Sequence, residues 1–307
     1  MGFKTQSLAI SEPVRFSDYW TLGKPRVVLV MLVCALAGML MAKPAIPSIF
    51  PVFYGLLGIG LMSMGAAAFN HVLDRRFDRL MARTRQRPLV RDRLQSWQAL
   101  LYAWLLTLLG FAVLTFEVNI LTALLTSAAL VGYAVIYTAF LKHATPQNIT
   151  IGGLAGAAPP LLGWTAVTGS VSADAILLVL IIFAWTPAHF WALAIYRCEE
   201  YRQAGVPMLP VTHGIQFTQL QVWLYSWLTV AASLMPYVTG MADEVYLFGI
   251  LAINSRWLWL NFRVYKFQQA KLMSASKVSF WFSIRYLLYC FLLLLLDHFL
   301  SVYAMSG

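Results

Sequence analysis

The densest polar stretch of the chain, residues 69–89, reads FNHVLDRRFDRLMARTRQRPL. Asn70, Asp74 and Asp78 recur in it every four residues, so on an α-helix they share one stripe. Oxygen ligands about 6 Å apart along such a stripe suit a hard cation such as Mg²⁺, which binds carboxylates together with substrate phosphates. The spacing predicts a metal site with Asn70, Asp74 and Asp78 as ligands, in which Asp74 and Asp78 are also the candidate catalytic carboxylates.

Arginines follow the same period one position further along the chain. Arg75, Arg79 and Arg83 form this second set, and the planar guanidinium fork suits phosphate oxygens. A metal stripe beside an arginine stripe indicates a site for an anionic diphosphate. The residues alone leave a second interpretation open, in which this is a solvated helix end whose aspartates and arginines only pair with one another.

A second polar stretch, residues 183–210, reads FAWTPAHFWALAIYRCEEYRQAGVPMLP. Helical spacing predicts that Trp185, His189, Tyr196 and Glu200 lie on one stripe. A histidine inside a membrane span is rare and indicates function. The alternative is a histidine that only forms a hydrogen bond with a neighbouring helix.

Charged residues at the end of this stretch extend the pattern. Glu199 or Glu200 is a candidate second acidic ligand, and Arg197 lies alongside as a phosphate contact. A surface ion pair, which contributes little to stability, explains the same residues.

Composition places these residues in a membrane. Of 307 residues, 60% are hydrophobic and 11% are charged, whereas soluble domains contain about 25% charged residues. This excludes an ordinary soluble enzyme and a disordered chain. A helix needs roughly 20 apolar residues to cross a bilayer. The sequence therefore predicts an all-α, polytopic membrane protein with nine transmembrane helices, at 27–47, 50–73, 97–116, 119–141, 149–168, 174–196, 220–240, 244–264 and 279–301.

The basic residues indicate the orientation. The N-terminal segment and the loops after even-numbered spans hold 19 of the 22 lysines and arginines. Because cytoplasmic loops are rich in these residues, we expect a cytoplasmic segment 1–25, a cytoplasm-facing active site and a periplasmic C-terminus. Nine spans leave no room for a separate soluble domain, so we expect one transmembrane domain over 1–307. The net charge of +10 follows from topology and predicts no nucleic-acid partner.

Span five is rich in small residues. Gly152 and Gly156 form a GxxxG pattern, which is typical of close helix packing. Pro159 and Pro160 predict a break in the same helix.

The first motif, with its Asn-x₃-Asp-x₃-Asp spacing followed by RTRQRPL, resembles the aspartate-rich motif of the UbiA-type intramembrane prenyltransferases. Segments 137–169, 185–201 and 202–211 are similar to the protohaem IX farnesyltransferases of that superfamily, also called haem O synthases. TPQNITIGG and PAHFWALAIYR are the specific parts, and the resemblance covers nearly the whole chain in order. One departure is the second motif, usually DxxxD, where this chain reads YRCEEY.

The resemblance implies a bundle of nine helices that uses Mg²⁺, farnesyl diphosphate and haem b. The farnesyl group would pass to a haem vinyl group, with addition of water, to give haem O for haem-copper oxidases. It implies that Tyr196 and Glu200 are catalytic residues at the second motif, together with the two aspartates of the first motif. The implied diphosphate contacts are Arg83, Arg87, Lys142 and Arg197, and the implied haem contacts are His189 and Trp185.

Two other functions remain open from the sequence. One is prenylation of an aromatic quinone precursor within the same superfamily, and the other is membrane transport. The N-terminus lacks a presequence pattern, which favours a bacterial plasma membrane over a mitochondrial one. The lipid bilayer is the expected environment, and haem A synthase or oxidase assembly factors are candidate protein partners.

Overall fold

The computed structural model describes residues 14–81 and 84–306, and these residues contain helices and no β-strand. Arg83, a predicted diphosphate contact, lies outside the described residues. The helices are α1 (Phe16–Leu22), α2 (Pro25–Met41), α3 (Ile49–Leu73), α4 (Arg75–Asp78), α5 (Ser96–Val113), α6 (Ile120–Val131), α7 (Lys142–Ala144), α8 (Asn148–Ala157), α9 (Pro159–Thr168), α10 (Ala173–Tyr196), α11 (Cys198–Gln203), α12 (Leu209–Thr212), α13 (Ile215–Val238), α14 (Glu244–Lys266) and α15 (Gln269–Ser306). Two π-helical stretches, Leu114–Val118 and Gly132–Leu141, continue α5 and α6.

The all-α, membrane-type fold is confirmed, and every predicted apolar run coincides with a helix or a broken helix. Fewer helices meet a criterion of length and apolarity for crossing a membrane. Within the described ranges there are five, or six if α1 and α2, bent by 49°, count as one span. The five are Ile49–Leu73, Ser96–Val118, Ile120–Leu141, Ala173–Tyr196 and Gln269–Tyr303.

The fifth predicted run is broken where the sequence predicted a break. Helix α8 ends at Ala157 and α9 begins at Pro159. Proline has no backbone N–H and clashes with the preceding turn, so the two prolines start a new helix. The break lets α8 contact α10 while α9 packs against α2.

The backbones of α2 and α9 cross in close contact at two glycines. A Cβ on Gly38 would lie 2.1 Å from the Pro160 carbonyl oxygen, and one on Gly163 would lie 1.9 Å from that of Ala35. Only glycine fits at such distances, since the small residue lets two helices approach. This crossing fixes α2, and therefore the N-terminal end of α2, relative to α9 and α8.

The last three helices are joined by buried polar contacts. Tyr286 donates a hydrogen bond to Asn254 at 2.8 Å, linking α15 to α14. The carboxylate of Asp297 accepts the backbone N–H groups of Asp243 and Tyr246 at 2.7 and 2.9 Å. A buried carboxylate at the start of α14 satisfies N–H groups that have no partner within the helix. These contacts make α13, α14 and α15 one packed unit beside α10.

Candidate active site

The asparagine and the two aspartates of the first motif remain on one stripe although α3 ends at Leu73. The backbone N–H of Asp74 donates to the Asn70 carbonyl, and that of Asp78 donates to the Asp74 carbonyl, each at 2.9 Å. Helical spacing therefore continues through the junction of α3 and α4. Asn70, Asp74 and Asp78 are 3%, 3% and 5% exposed, which excludes the solvated helix end.

Two lysines from distant parts of the chain reach this stripe. Lys142 donates to a carboxylate oxygen of Asp74 at 2.6 Å, and Lys24 donates to the amide oxygen of Asn70. The amide nitrogen of Asn70 donates to Asp74 at 2.8 Å and to the Thr138 hydroxyl at 3.1 Å. Because these hydrogen bonds orient both side chains, the Asn70 amide and the Asp74 carboxylate are held side by side.

The loop after α4 folds back onto the last residue of the stripe. Arg87 forms an ion pair with the carboxylate of Asp78, and the Thr84 hydroxyl donates to the Asp78 carbonyl at 2.9 Å. The structure therefore brings two of the predicted diphosphate contacts, Arg87 and Lys142, to the two aspartates.

The arginine stripe of the sequence does not face the same way. Arg75 pairs with Asp92, donates to the Leu89 carbonyl at 3.0 Å and donates to Ser96 at 3.0 Å. Arg79 lies 3.6 Å from the same aspartate. The expectation that Arg75 and Arg79 face a diphosphate is wrong for this arrangement. Because neighbouring residues on a helix point about 100° apart, these arginines do not share the face of the asparagine and aspartates. They contact the following loop instead and anchor it.

A cavity of about 510 Å³ opens beside the stripe. Its two ends differ in chemistry. The polar end is lined by Lys24, Asn70, Asp74, Asp78, Arg87 and Lys142. Most of the remaining lining is apolar or aromatic, with Met62, Tyr133, Tyr137, Leu162, Trp185 and Phe190 among its residues, and Ser63, Thr126 and Thr186 add hydroxyl groups. A cavity with one charged end and a mostly apolar wall fits an amphiphile with an anionic head.

The two glycines of span five have different surroundings. A Cβ on Gly152 would lie 2.2 Å from the Tyr137 ring, so this glycine permits close packing. Gly156 has no atom within 4 Å of its would-be Cβ, and it lines the cavity. The packing interpretation of the GxxxG pattern is therefore right for Gly152, whereas Gly156 leaves open space.

Sequence reasoning missed several residues that line the cavity. Lys24 stands in the sequence only as one of the basic residues of the N-terminal segment, and no motif marks Tyr133, Tyr137 or Tyr201, yet all four line the cavity. The two tyrosines of span four stack with ring centroids 5.8 Å apart. Their spacing of four residues, in a helix with few polar side chains, is the sequence feature that could have identified them, because that spacing places both rings on one face.

The second polar stretch is not one helical stripe. Helix α10 ends at Tyr196, and Arg197 leaves the helix with φ −114° before α11 begins at Cys198. Glu200 therefore belongs to a different helix from His189, which corrects the predicted common stripe. Tyr196 is 39% exposed with the Lys277 ammonium 5.8 Å from its ring, and Arg197 pairs with Glu200 at 3.3 Å.

These three side chains do not line the cavity, so their predicted roles stay predictions. On the same short helix, Arg202 forms an ion pair with Glu199. Burial raises the pKa of the Cys198 thiol, which keeps it protonated near neutral pH and makes it a poor nucleophile.

The two predicted haem contacts lie at different depths. Trp185 lines the cavity and donates through Nε1 to the Ser283 carbonyl at 2.9 Å. His189 is buried behind it, with Nδ1 2.5 Å from the Ser283 hydroxyl. Its ring stacks on Trp185 and on Phe280, with centroids 4.3 and 4.7 Å away. This arrangement matches the hydrogen-bonded histidine that the sequence left open, and it fixes the orientation of Trp185.

The donors of the first stripe suit Mg²⁺. Among residues 14–81 and 84–306 no group of three or more histidine, cysteine or acidic side chains converges on a point. Asn70, Asp74 and Asp78 instead offer one amide and two carboxylates at the cavity wall. This set fits a cation that prefers few protein ligands and completes its shell with water and substrate phosphate.

Comparison with known proteins agrees with this geometry. Residues 31–284 match the UbiA prenyltransferase family. A "Protoheme IX farnesyltransferase" of Marinobacter nauticus is 52% identical over 97% of this chain and 99% of its own length. A "Protoheme IX farnesyltransferase 1" of Pseudomonas putida is 54% identical over 93% of this chain and 95% of its own.

Solved structures share the fold at low sequence identity. A digeranylgeranylglyceryl phosphate synthase is 17% identical, with TM-score 0.77, over 92% of this chain and 98% of its own. A UbiA homologue from Archaeoglobus fulgidus bound to DMAPP and Mg²⁺ is 19% identical, with TM-score 0.66, over 90% of this chain and 99% of its own. Sequence and fold lead to one assignment: this chain belongs to the UbiA prenyltransferase family.

Proposed function

We propose that this protein transfers the farnesyl group of farnesyl diphosphate to a vinyl group of haem b, with addition of water, to give haem O. The observation that carries the proposal is the cavity, whose charged end holds Asn70, Asp74 and Asp78 and whose remaining wall is mostly apolar. Such a cavity suits an isoprenoid diphosphate. The names of the relatives at 52–54% identity supply the donor and the acceptor.

The diphosphate would bind at the charged end. Asn70, Asp74 and Asp78 would hold Mg²⁺, which supplies electrostatic stabilisation of the departing diphosphate. An A. fulgidus homologue of this fold binds Mg²⁺ with DMAPP, which supports that choice. Lys142 brings a further positive charge to Asp74, and the amino group of Lys24 donates to the amide oxygen of Asn70.

Arginines would complete the neutralisation. Arg87 lies at the cavity wall against Asp78, and we propose that its guanidinium also contacts diphosphate oxygens. Arg83, four residues before it, is proposed for the same role on its sequence position alone. Fixed charges of this kind lower the barrier because they need no reorganisation when the leaving group departs.

The apolar wall would protect the reacting allylic group. When the bond to the diphosphate breaks, the farnesyl carbon becomes cationic and the electron-rich vinyl carbon of haem attacks it. Tyr133, Tyr137 and Trp185 line the cavity, and the π faces of such rings stabilise a cation. Excluding bulk water until the new bond forms would prevent simple hydrolysis of the donor.

The acceptor side rests on the second polar stretch. Trp185 is the proposed haem contact within the cavity, and His189 is proposed either to ligate the iron or to orient Trp185 through their stacked rings. Tyr196 and Glu200 are proposed at the variant second motif, with Arg197 as a diphosphate contact. Support for these three is their position at the end of the helix that carries Trp185 and directly after it.

The proposed setting is a bacterial plasma membrane, with nine spans in one domain, a cytoplasmic N-terminus and a periplasmic C-terminus. Lys24, Asp74, Lys142 and Met208 come from four separate connections that the sequence assigns to the cytoplasm, and all line one cavity. Their convergence supports a cytoplasm-facing site. Haem A synthase or oxidase assembly factors are proposed as protein partners that receive the product.

One incubation tests the reaction. Membranes containing the protein are supplied with farnesyl diphosphate, Mg²⁺ and haem b, and the extracted haems are separated by chromatography and weighed by mass spectrometry. The expected product is haem b plus one farnesyl group and one hydroxyl group, since the added water loses a proton when it traps the new cation. A parallel incubation replaces haem b with a phenolic quinone precursor. Prenylation of the phenol with no modified haem would contradict the proposal and support the alternative acceptor.

A further inference from the structure

Helix α14 carries an arginine near its midpoint on its outer face. The helix has 23 residues, and Arg256 lies twelve residues after Glu244 and ten before Lys266. The buried side chains of α14 face the bundle, with Tyr246, Ile250, Asn254, Trp257, Leu260, Asn261 and Val264 among them. Arg256 lies on the opposite, exposed side. Arginine inside a membrane span normally faces the bundle interior, so this placement needs an explanation.

The arginine is paired with a tryptophan and a second arginine on the same face. The Cζ atom of Arg256 lies 4.4 Å from the centroid of the Trp259 ring, and that of Arg263 lies 4.8 Å from it. Because Trp259 is nearer to Lys266, the Arg256 guanidinium reaches towards the lysine-bearing end of the helix. The two guanidinium groups therefore flank one indole.

Neither guanidinium has a carboxylate partner in the part of the chain that the structure describes. Each is close only to aromatic rings, since Arg263 also lies 5.2 Å from Phe267. Two unneutralised cations in apolar surroundings attract an anion. A phosphate group fits both, because each guanidinium can donate two parallel hydrogen bonds to its oxygen atoms.

The surroundings favour a phosphate that arrives with a lipid. Trp259 is 47% exposed, and the neighbouring side chains Leu251 and Phe262 are 43% exposed. Phe262 also packs against Trp223, which stacks on Tyr265. Exposed aromatic rings beside arginines are typical of the headgroup level of a membrane, where acyl chains cover the apolar part.

We propose that Arg256 and Arg263, on the two sides of Trp259, bind the phosphate of an anionic phospholipid on the outer surface of α14. The acyl chains of that lipid lie along the exposed apolar side chains of the same helix. This site is separate from the cavity, because α14 contributes no residue to the cavity lining.

Lipid binding to the purified full chain tests the site. The protein is delipidated in detergent and titrated with phosphatidylglycerol or with phosphatidylcholine, and bound lipid is counted by native mass spectrometry. The test variant is R256Q/R263Q. The matched control is R285Q/K271Q, which removes two exposed positive charges from α15 that are fourteen residues apart along the helix and therefore too distant to share one phosphate. R256K/R263K retains the charge without the planar fork.

We expect phosphatidylglycerol to bind the native protein more tightly than phosphatidylcholine. R256Q/R263Q should weaken its binding at least about tenfold, since each arginine contributes on the order of 1 kcal/mol near a membrane surface. The control should retain native binding, and R256K/R263K should lie between the two. Equal binding of both lipids, or unchanged binding in R256Q/R263Q, would overturn the proposal.

Two further results would also overturn it. Displacement of the lipid by inorganic phosphate alone would indicate a site for the free anion. A change of oligomeric state in R256Q/R263Q with unchanged lipid binding would indicate that the face contacts a second copy of the chain. Melting temperatures of all variants, measured in the same detergent, verify that each one is folded.

Discussion

The two polar stretches that looked alike in the sequence differ in the structure. In the first, at the end of α3, the side chains of Asn70, Asp74 and Asp78 are buried, and the first two contact lysines from distant segments. In the second, after α10, the charged side chains form ion pairs with one another. Arg197 contacts Glu200 and Arg202 contacts Glu199, each within one turn. Glu199 is an exposed member of these pairs. The first stretch lines a cavity, whereas the charged residues of the second do not.

Helical period alone therefore does not identify a site. Both stretches have side chains spaced about one turn apart. At both helix ends the i→i−4 backbone hydrogen bonds continue, from Asn70 to Asp78 at the first and from Leu193 to Tyr201 at the second. Asp74 keeps right-handed helical dihedrals at the first junction, whereas Arg197 departs from them at the second. A site needs donors that point to one place and charges that arrive from other segments, and both conditions depend on tertiary contacts.

The largest effect is expected at the first stretch. D74N removes a carboxylate charge from the proposed metal site, and haem O formation should fall by about 1000-fold, the scale of losing one main electrostatic stabiliser. Product is measured by chromatography of haems from membranes containing equal amounts of protein. E117Q, an exposed carboxylate elsewhere, serves as the control. Activity of D74N above a tenth of the native level would remove Asp74 from the catalytic machinery.

A substitution at Gly156 in the cavity wall distinguishes a residue that leaves room for substrate from one that only permits helix packing. G156L should fill the cavity beside the stripe and lower activity by about 100-fold, because a small displacement of a reacting group has an effect of this size. Its melting temperature should stay near native, since nothing lies within 4 Å of that Cβ. G152A is the matched variant, and contact with Tyr137 should lower its stability. Equal activity in G156L and the native protein would show that substrate does not occupy this part of the cavity.

Substitution of Lys142, the lysine partner of Asp74, should lower activity less than D74N does. K142Q leaves the proposed metal ligand in place but removes a charge at 2.6 Å from its carboxylate. We expect haem O formation to fall by about 10- to 100-fold, as for other groups that support a metal ligand. The apparent KM for farnesyl diphosphate, measured with K271Q as control, should rise. An unchanged KM together with unchanged kcat would contradict a role for Lys142 at the diphosphate.

The smallest effect is expected at the second stretch. E200Q removes a carboxylate that the structure pairs with Arg197 outside the cavity, so it should act at the second motif only as a supporting charge, and activity should fall by about fivefold or less. Haem O is quantified as for D74N, and the ratio of the two losses measures how unequal the stretches are. A loss above 100-fold in E200Q would mean that this segment rearranges with substrate to join the site, as its predicted catalytic role requires.

Much of the fold was predictable because membrane helices leave a strong signal. Runs of about 20 apolar residues located the long helices, and Pro159 marked the break within the fifth run. The number of helices that satisfy a length and apolarity test is smaller than the nine predicted. Polar side chains in α14 that bond to α13 and α15, such as Asn254, lower its apolarity without exposing it to water.

Within the candidate site, local spacing predicted what lies on one helix and failed for what lies on several. The stripe of Asn70, Asp74 and Asp78 was predictable, and Arg87 and Lys142 were proposed through family resemblance. The contact between Lys24 and Asn70 joins residues 46 positions apart, and neither composition nor period encodes it. The direction of Arg75 was also hidden, because Asp92 and Ser96 attract it into the loop.

Hydrophobicity and residue spacing in the sequence predict the helical membrane fold, the stripe of one asparagine and two aspartates, and the family. These features depend on hydrophobicity and on spacing along one helix, which are local properties of the chain. Only the tertiary structure decided which polar side chains share a cavity, that Gly156 opens space while Gly152 packs, and that His189 bonds to Ser283. Those outcomes depend on helix crossings such as that of α2 and α9, where backbone contact between distant residues fixes the two helices relative to each other and so positions the side chains at their ends.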